Sequence, residues 1–559
     1  MSNSNAAFRF DNKMNFDFQR GVHTPNALSS YLAEIEQAHL IRASQEIEPA
    51  YWFKHALVQD AAYNSLMKQQ RKRLHHLVAE TLEQVLTETR DENAALLAHH
   101  FELAEDHVNA LTYLQRAAEW AQRAAAHHEE VDLLTRALAL AKETQSNDML
   151  ADLHMRRGKA FTNLTKFSEA RTEFLAALEL VPASDAAQRA QILNELALAT
   201  QWLWDVATAT QYAREALALA EQAGRDDLAA QAMCALAFAI VSDGDVRGGL
   251  EYYARAFERG GKQTTLTLVQ SLEISGLALY WISEYDQAAA RIQEATARAR
   301  ERFDSFTVMR GLGNLGMALV GQGKYRQALV TFQAARAFGK EHDVKAFLSR
   351  ALAMEAGLYL ELYAYARAEH VALEARSVAR AANFAPSATM AAIDLMINYA
   401  RRGDFYLADQ YTNQVVQVIP KTYGSHRWGF ELRFAYARAE LALARMQWES
   451  ARELANDAIW QSRKYGRIKY EALGLAALAQ AHEELKDSDA ARAALHLALE
   501  RARADGNPSL FLHTAIPLYR HEHTTLLLRE IRATIQRIHA ELPASSLRDG
   551  FDAAISEWI

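Results

Sequence analysis

A unit of about 40 residues recurs nine times along the chain, and this period constrains the fold more than any single motif. Aligned without gaps, the copies start at Ala151, Ala190, Ala230, Val269, Met309, Ser349, Thr389, Leu432 and Ala472. Position 20 is small in every copy: Ala170, Ala209, Gly249, Ala288, Ala328, Ala368, Ala408, Ala451 and Ala491. Position 27 is alanine in all but the seventh copy, where Val415 stands. Position 8 runs Gly158, Ala197, Ala237, Gly276, Gly316, Ala356, Met396, Ala439 and Ala479. Alanine-rich composition alone would not align small residues in this way. The period argues for stacked units rather than separate globular domains.

Each unit reads as a helix pair. Position 8 falls midway along a first helix, where lack of bulk lets a second helix approach. Positions 20 and 27 are two turns apart and share one face of that second helix. Larger apolar residues at position 24, such as Phe174, Tyr253, Ile292, Phe332 and Leu495, fill the space between helices. Turn residues separate the two, at 163–166, 242–245, 321–324, 402–404 and 486–488. Each pair leaves an apolar face that only its neighbour covers, so a stack forms one continuous core.

Composition agrees and narrows the class. The chain has 61 Lys+Arg against 69 Asp+Glu, so no basic excess recommends nucleic acid. A single cysteine, Cys234, excludes a disulfide framework and a thiolate zinc site. The N-terminus lacks the pattern of a signal peptide, and the longest apolar run, 229–241, is too short to span a bilayer. The expectation is a cytoplasmic, all-α protein with no membrane contact.

These columns resemble tetratricopeptide (TPR) repeats. The first copy carries Gly158, Phe161, Ala170, Phe174, Ala177 and Pro182 at that family's positions. Met396 is bulky for its column and Ala442 replaces the usual aromatic, so irregular packing is expected there. The resemblance implies an α-solenoid, a right-handed superhelix of helix pairs. Ahead of it, Phe53, Lys54, His55, Ala56, Leu57, Val58, Gln59, Asp60, Ala61, Ala62 and Tyr63 resemble a second pattern. It is the junction of STAND-type signal-transduction ATPases and their adenylate or guanylate cyclase fusions, where a winged-helix element passes into TPR-like helices. Residues 27–42 would be the last winged-helix helix and 47–54 the wing. No phosphate-loop motif is present, since Gln263 stands where the magnesium-binding hydroxyl is required. The ATPase chemistry therefore does not carry over.

The implied organisation is a poorly ordered tail (1–25), a winged-helix remnant with linking helix (26–90), irregular TPR-like helices (91–150), nine repeats (151–507) and a C-terminal helical cap (508–559). Within the cap, helices are expected at 509–516 (stopped by Pro517), 521–541 and 545–558. No catalytic motif, cofactor site or metal site is evident. Neighbouring histidines such as His75/His76 and His99/His100 point about 100° apart on a helix and do not chelate one metal. The basic run Lys68, Arg71, Lys72 and Arg73 reads as a solvated face.

Function is therefore expected to be binding. The concave face of a TPR array is lined by first-helix positions 2, 5, 9, 12 and 13. In this chain these positions also hold Asp152, Glu361, Met390 and Arg433, and the expected groove residues among them are Gln191, Asn194, Gln201, Trp202, Gln231, Phe238, Gln270, Glu273, Tyr280, Trp281, Arg310 and Arg350. Amides bond to peptide backbone, arginines clamp carboxylates and aromatics bury side chains. The expected function is a non-catalytic scaffold or sensor arm in intracellular signalling that holds a partner segment, peptide or helical, in this groove. One alternative is a regulatory subunit completing a separately encoded STAND ATPase or nucleotide cyclase, with Tyr51 and Phe53 forming a sticky edge. Another is a transcription regulator using the winged-helix remnant.

Overall fold

Position 15 of the repeat sets the geometry of each hairpin. In a computed structural model this residue is left-handed in all nine copies: Thr165, Trp204, Gly244, Ser283, Gly323, Tyr363, Gly403, Met446 and Lys486, with φ between 59° and 99°. The following N–H turns back onto the carbonyl five residues earlier, as from Lys166 to Phe161, Glu284 to Leu279 and Asp487 to His482. This is the Schellman closure of a helix end. Only Gly244, Gly323 and Gly403 meet that demand without strain. Where the next residue is aspartate, its carboxylate caps the second helix: Asp205, Asp245, Asp404 and Asp487 accept from Thr208, Gly248, Leu407 and Ala490.

The structure describes residues 8–9, 25–43, 50–144, 146–261, 266–421, 427–543 and 546–556. The expected tail lies almost wholly outside the described residues. Contacts divide the chain into two units, Met1–Ala117 and Ala118–Ile559. Among the described residues no helix is long and apolar enough to cross a membrane.

The second unit is an all-α solenoid. Nine helix pairs follow one another, from Asn147–Asn163 with Phe167–Leu180 to Ile468–Glu484 with Ser488–Asp505. Position 8 packs against position 24 of its own pair. A Cβ on Gly158 would lie 2.4 Å from the Phe174 ring, and one on Gly276 would lie 2.6 Å from Ile292. Size is matched in three pairs, where glycine faces Phe174, Ile292 and Phe332. In the seventh pair bulky Met396 stands in register with small Thr412. Met396 is fully buried within the continuous helix Ala385–Arg401. Gly316→Val, placing carbon 2.6 Å from the Phe332 ring, is expected to cost about 1–3 kcal/mol. Phe332→Leu in the same chain should restore part of that loss, read as the melting temperature.

The C-terminal segment corrects one expectation. Pro517 does not stop a helix; it sits inside Pro508–Glu522. Asn507 caps that helix, accepting from Ser509 at 2.9 Å and Leu510 at 3.1 Å. Burial of Leu510, Leu512, Ala515, Ile516 and Leu518 offsets the lost backbone bond. Helices Thr525–Glu541 and Ser546–Ser556 complete the chain's described part.

In the first unit, helix Pro25–Gln37 leads to strand Ile41–Ala43, which pairs antiparallel with Ala50–Phe53. Arg42 thus lies in a strand and not in the helix expected over 27–42, while most of the segment before the second strand lies outside the described residues. Helix Ala56–Ser65 has no buried residue. The basic run on Lys68–Val85 is largely engaged: Lys68 and Lys72 both contact Glu105, and Arg71 lies 5.1 Å over the Tyr63 ring.

Candidate functional site

The first helices face inward, and the array coils until distant pairs touch across this inner face. The Trp281 ring meets Trp428 edge-on at 5.4 Å, and Trp428 donates to the Val241 carbonyl at 3.3 Å. Tyr285 and Ser283 donate to Asp505, some 220 residues away. Ser509 donates to the Glu361 carbonyl at 2.9 Å, and Lys469 pairs with the Glu361 carboxylate. These contacts close over a cavity of about 220 Å³.

The cavity walls come from the first helices of seven pairs and from Pro508–Glu522. Their aromatic part includes Trp202, Trp204, Trp281, Trp428, Phe384 and Tyr470, with Leu277, Met317 and Met354 alongside. Among the described residues five cations line the cavity, Arg350, Arg401, Arg433, Arg467 and Lys469, against two carboxylates, Glu361 and Asp394. Arg433 pairs with Asp394, Lys469 with Glu361, and Arg401 with Glu440 at 2.9 Å. Burial works against the Glu440 carboxylate, yet Arg401 holds it down at about 2. Burial likewise opposes the Lys469 charge, and Glu361 keeps it above the usual lysine range. Arg350 and Arg467 remain without a carboxylate among the described residues. Burial pushes the Arg350 guanidinium down to about 10, with repulsion from Arg310 adding to it and attraction from Glu273 opposing. It still carries its charge at neutral pH.

The structure sorts the twelve expected groove residues into three groups. Trp202, Tyr280, Trp281 and Arg350 line the cavity together. Gln191 is exposed on a separate shallow surface beside Asp152 and Lys159. The other seven pack between helices. Asn194 donates to the Leu228 carbonyl, and Gln270 donates to Asp304. Gln201, Gln231 and Phe238 are buried. Arg310 is 2 % exposed and pairs with the fully buried Glu273, which also accepts from Asn314. The inner face is tighter than an open groove because its turns contact one another. Arg467, Lys469 and Tyr470 escaped the sequence reading because they precede the repeat's register, though three cationic or aromatic residues within four positions were a visible signal.

His513, on the cavity wall, is held neutral. Burial lowers its imidazole to about 4, with Arg401 contributing and Glu440 opposing. The unfolded chain binds a proton near pH 6.5 that the folded chain takes up only near 4. Stability should therefore fall as pH drops through that window, by up to about 3 kcal/mol from this group. His513→Gln should flatten the pH dependence of the melting temperature between pH 6.5 and 4.

No protein-family model matches the sequence, and no curated protein matches it. Among solved structures, a Rap protein complexed with competence and sporulation factor is similar over 71 % of this chain and 98 % of its own, at 12 % identity and a TM-score of 0.41. The apo form of RapI is similar over 48 % of this chain and 96 % of its own, at 14 % identity and 0.37. The APC/C hetero-tetramer Cut9–Hcn1 is similar over 90 % and 99 %, at 15 % identity and 0.41. At these scores the solenoid assignment rests on the chain's own helix pairs.

Proposed function

We propose that the chain is a non-catalytic sensor arm of a signalling system, whose repeat array takes a segment of a protein partner into the cavity between its turns. The observation that supports this is the cavity itself. Aromatic walls and charged groups converge there from first helices far apart in sequence. An occupant touching Trp281, Arg350 and Arg467 would tie the fourth, sixth and ninth pairs together and make coil closure depend on binding. Trp281→Ala combined with Arg350→Ala should abolish capture of the native partner from cell extract while the melt stays cooperative. Undiminished capture by a folded double variant would end this reading.

A second reading has an observation of its own. Helix Ala56–Ser65 carries part of the junction motif and has no buried residue, with Leu57 80 % exposed and nearby Met67 75 % exposed. A partner ATPase or cyclase chain docking there would cover this face. Leu57→Glu with Met67→Glu should then release that partner and leave the cavity's binding unchanged.

A further inference from the structure

We propose that the cavity recognises a carboxylate on an apolar body, with the negative charge met by Arg350 and Arg467; this rests on the cavity being the binding site.

Arg467 is 8 % exposed and sits against two rings, Trp428 at 5.6 Å and Tyr470 at 5.4 Å. Stacking of this kind holds a guanidinium by its faces and leaves the in-plane N–H fork free. Its Nε is buried and has no hydrogen-bond partner. Arg350 has neither an ion pair nor a side-chain hydrogen bond among the described residues. Arg467 is buried and Arg350 partly buried; a cation withdrawn from water without a paired carboxylate costs stability, and the other three cations in this cavity avoid that cost through Asp394, Glu361 and Glu440. Two exceptions facing the same space mark where an anion belongs.

Trp204 and Tyr363, both at the left-handed helix-closing position 15, add two further rings to the cavity wall. The Ser387 hydroxyl, on the first turn of Ala385–Arg401, is also buried, unpartnered and on the cavity wall. The planar fork of an arginine matches a carboxylate, and the aromatic walls match an apolar body.

Calorimetry on the full chain tests this with matched pairs: 4-phenylbutyrate against its amide, and N-acetylated phenylalanyl-leucine against its C-terminal amide, with inorganic phosphate alone as a third arm. The two pairs separate a small organic acid from a peptide terminus. In at least one pair the acid should bind roughly tenfold or more tightly than its amide. Arg350→Gln and Arg467→Gln should each shrink that ratio and leave amide binding unchanged. Equal binding of acid and amide overturns the charge recognition and leaves the cavity standing as a site. Phosphate binding as tightly as the acids overturns the apolar body. No binding by any probe counts against the proposal, and partner capture by the Trp281→Ala, Arg350→Ala chain then decides whether the cavity reading falls with it.

Discussion

Glu273→Ala should destabilise the array by about 3–5 kcal/mol, a loss read directly in its melting temperature. The carboxylate is fully buried and pairs with Arg310, and it accepts from Asn314 as well. Removing it leaves a guanidinium that is 2 % exposed without an ion pair, packed against the rings of Trp202 at 4.6 Å, Phe306 at 5.1 Å and Phe347 at 5.8 Å, with Asp304 as a more distant counter-charge. Burial already pulls the Arg310 guanidinium below its usual range, with Glu273 opposing. The double variant Glu273→Leu, Arg310→Met removes both charges together and should recover most of the loss. Recovery would show that the pair specifies this arrangement more than it stabilises it. If Glu273→Ala melts like the parent, the inner face is wetter than the structure shows.

Trp202→Ala should cost a similar amount, about 3–5 kcal/mol, and should also weaken binding in the cavity. The indole joins separate turns of the coil, lying 6.0 Å from Phe167, 5.9 Å from Phe238, 5.6 Å from Phe306 and 5.4 Å from Phe347. It is 4 % exposed, and the little that remains exposed belongs to the cavity wall. Packing and binding therefore share one side chain. Trp202→Phe separates them: most of the stability should return, while a probe that binds the parent should bind more weakly.

The hairpins were legible in the sequence because their determinants are local. Gly158 and Phe174 lie sixteen residues apart, within one pair, and the same close fit recurs at Gly276 with Ile292 and Gly316 with Phe332. The coil was not legible, because its contacts have no local signature. Nothing near Trp202 announces Phe347, and nothing near Tyr285 announces Asp505. This explains why position counting found Trp202, Tyr280, Trp281 and Arg350 but also collected Arg310 and Glu273, which satisfy each other in the packing between turns. A charge reversal at Arg310 would break that packing before it reported on a groove. The turns were legible only in part: glycine marks position 15 in three copies, while Trp204 and Tyr363 adopt the same backbone with no such mark. Pro517 breaks a helix by local propensity, and the burial that keeps it inside Pro508–Glu522 has no local mark.

The central claim is that the array closes on itself across its inner face. His128 and Asp343 test it most directly, since they lie 215 residues apart yet come within 3.3 Å, and both are exposed enough to label. Cys234 is buried and, by burial, its thiol is pushed up to about 12, so it should stay unlabelled. Spin labels on His128→Cys and Asp343→Cys should give a single short-distance population in pulsed dipolar spectroscopy. An open array would separate them by several packed helices at about 8–10 Å each, and a broad long-distance distribution would contradict the closed coil.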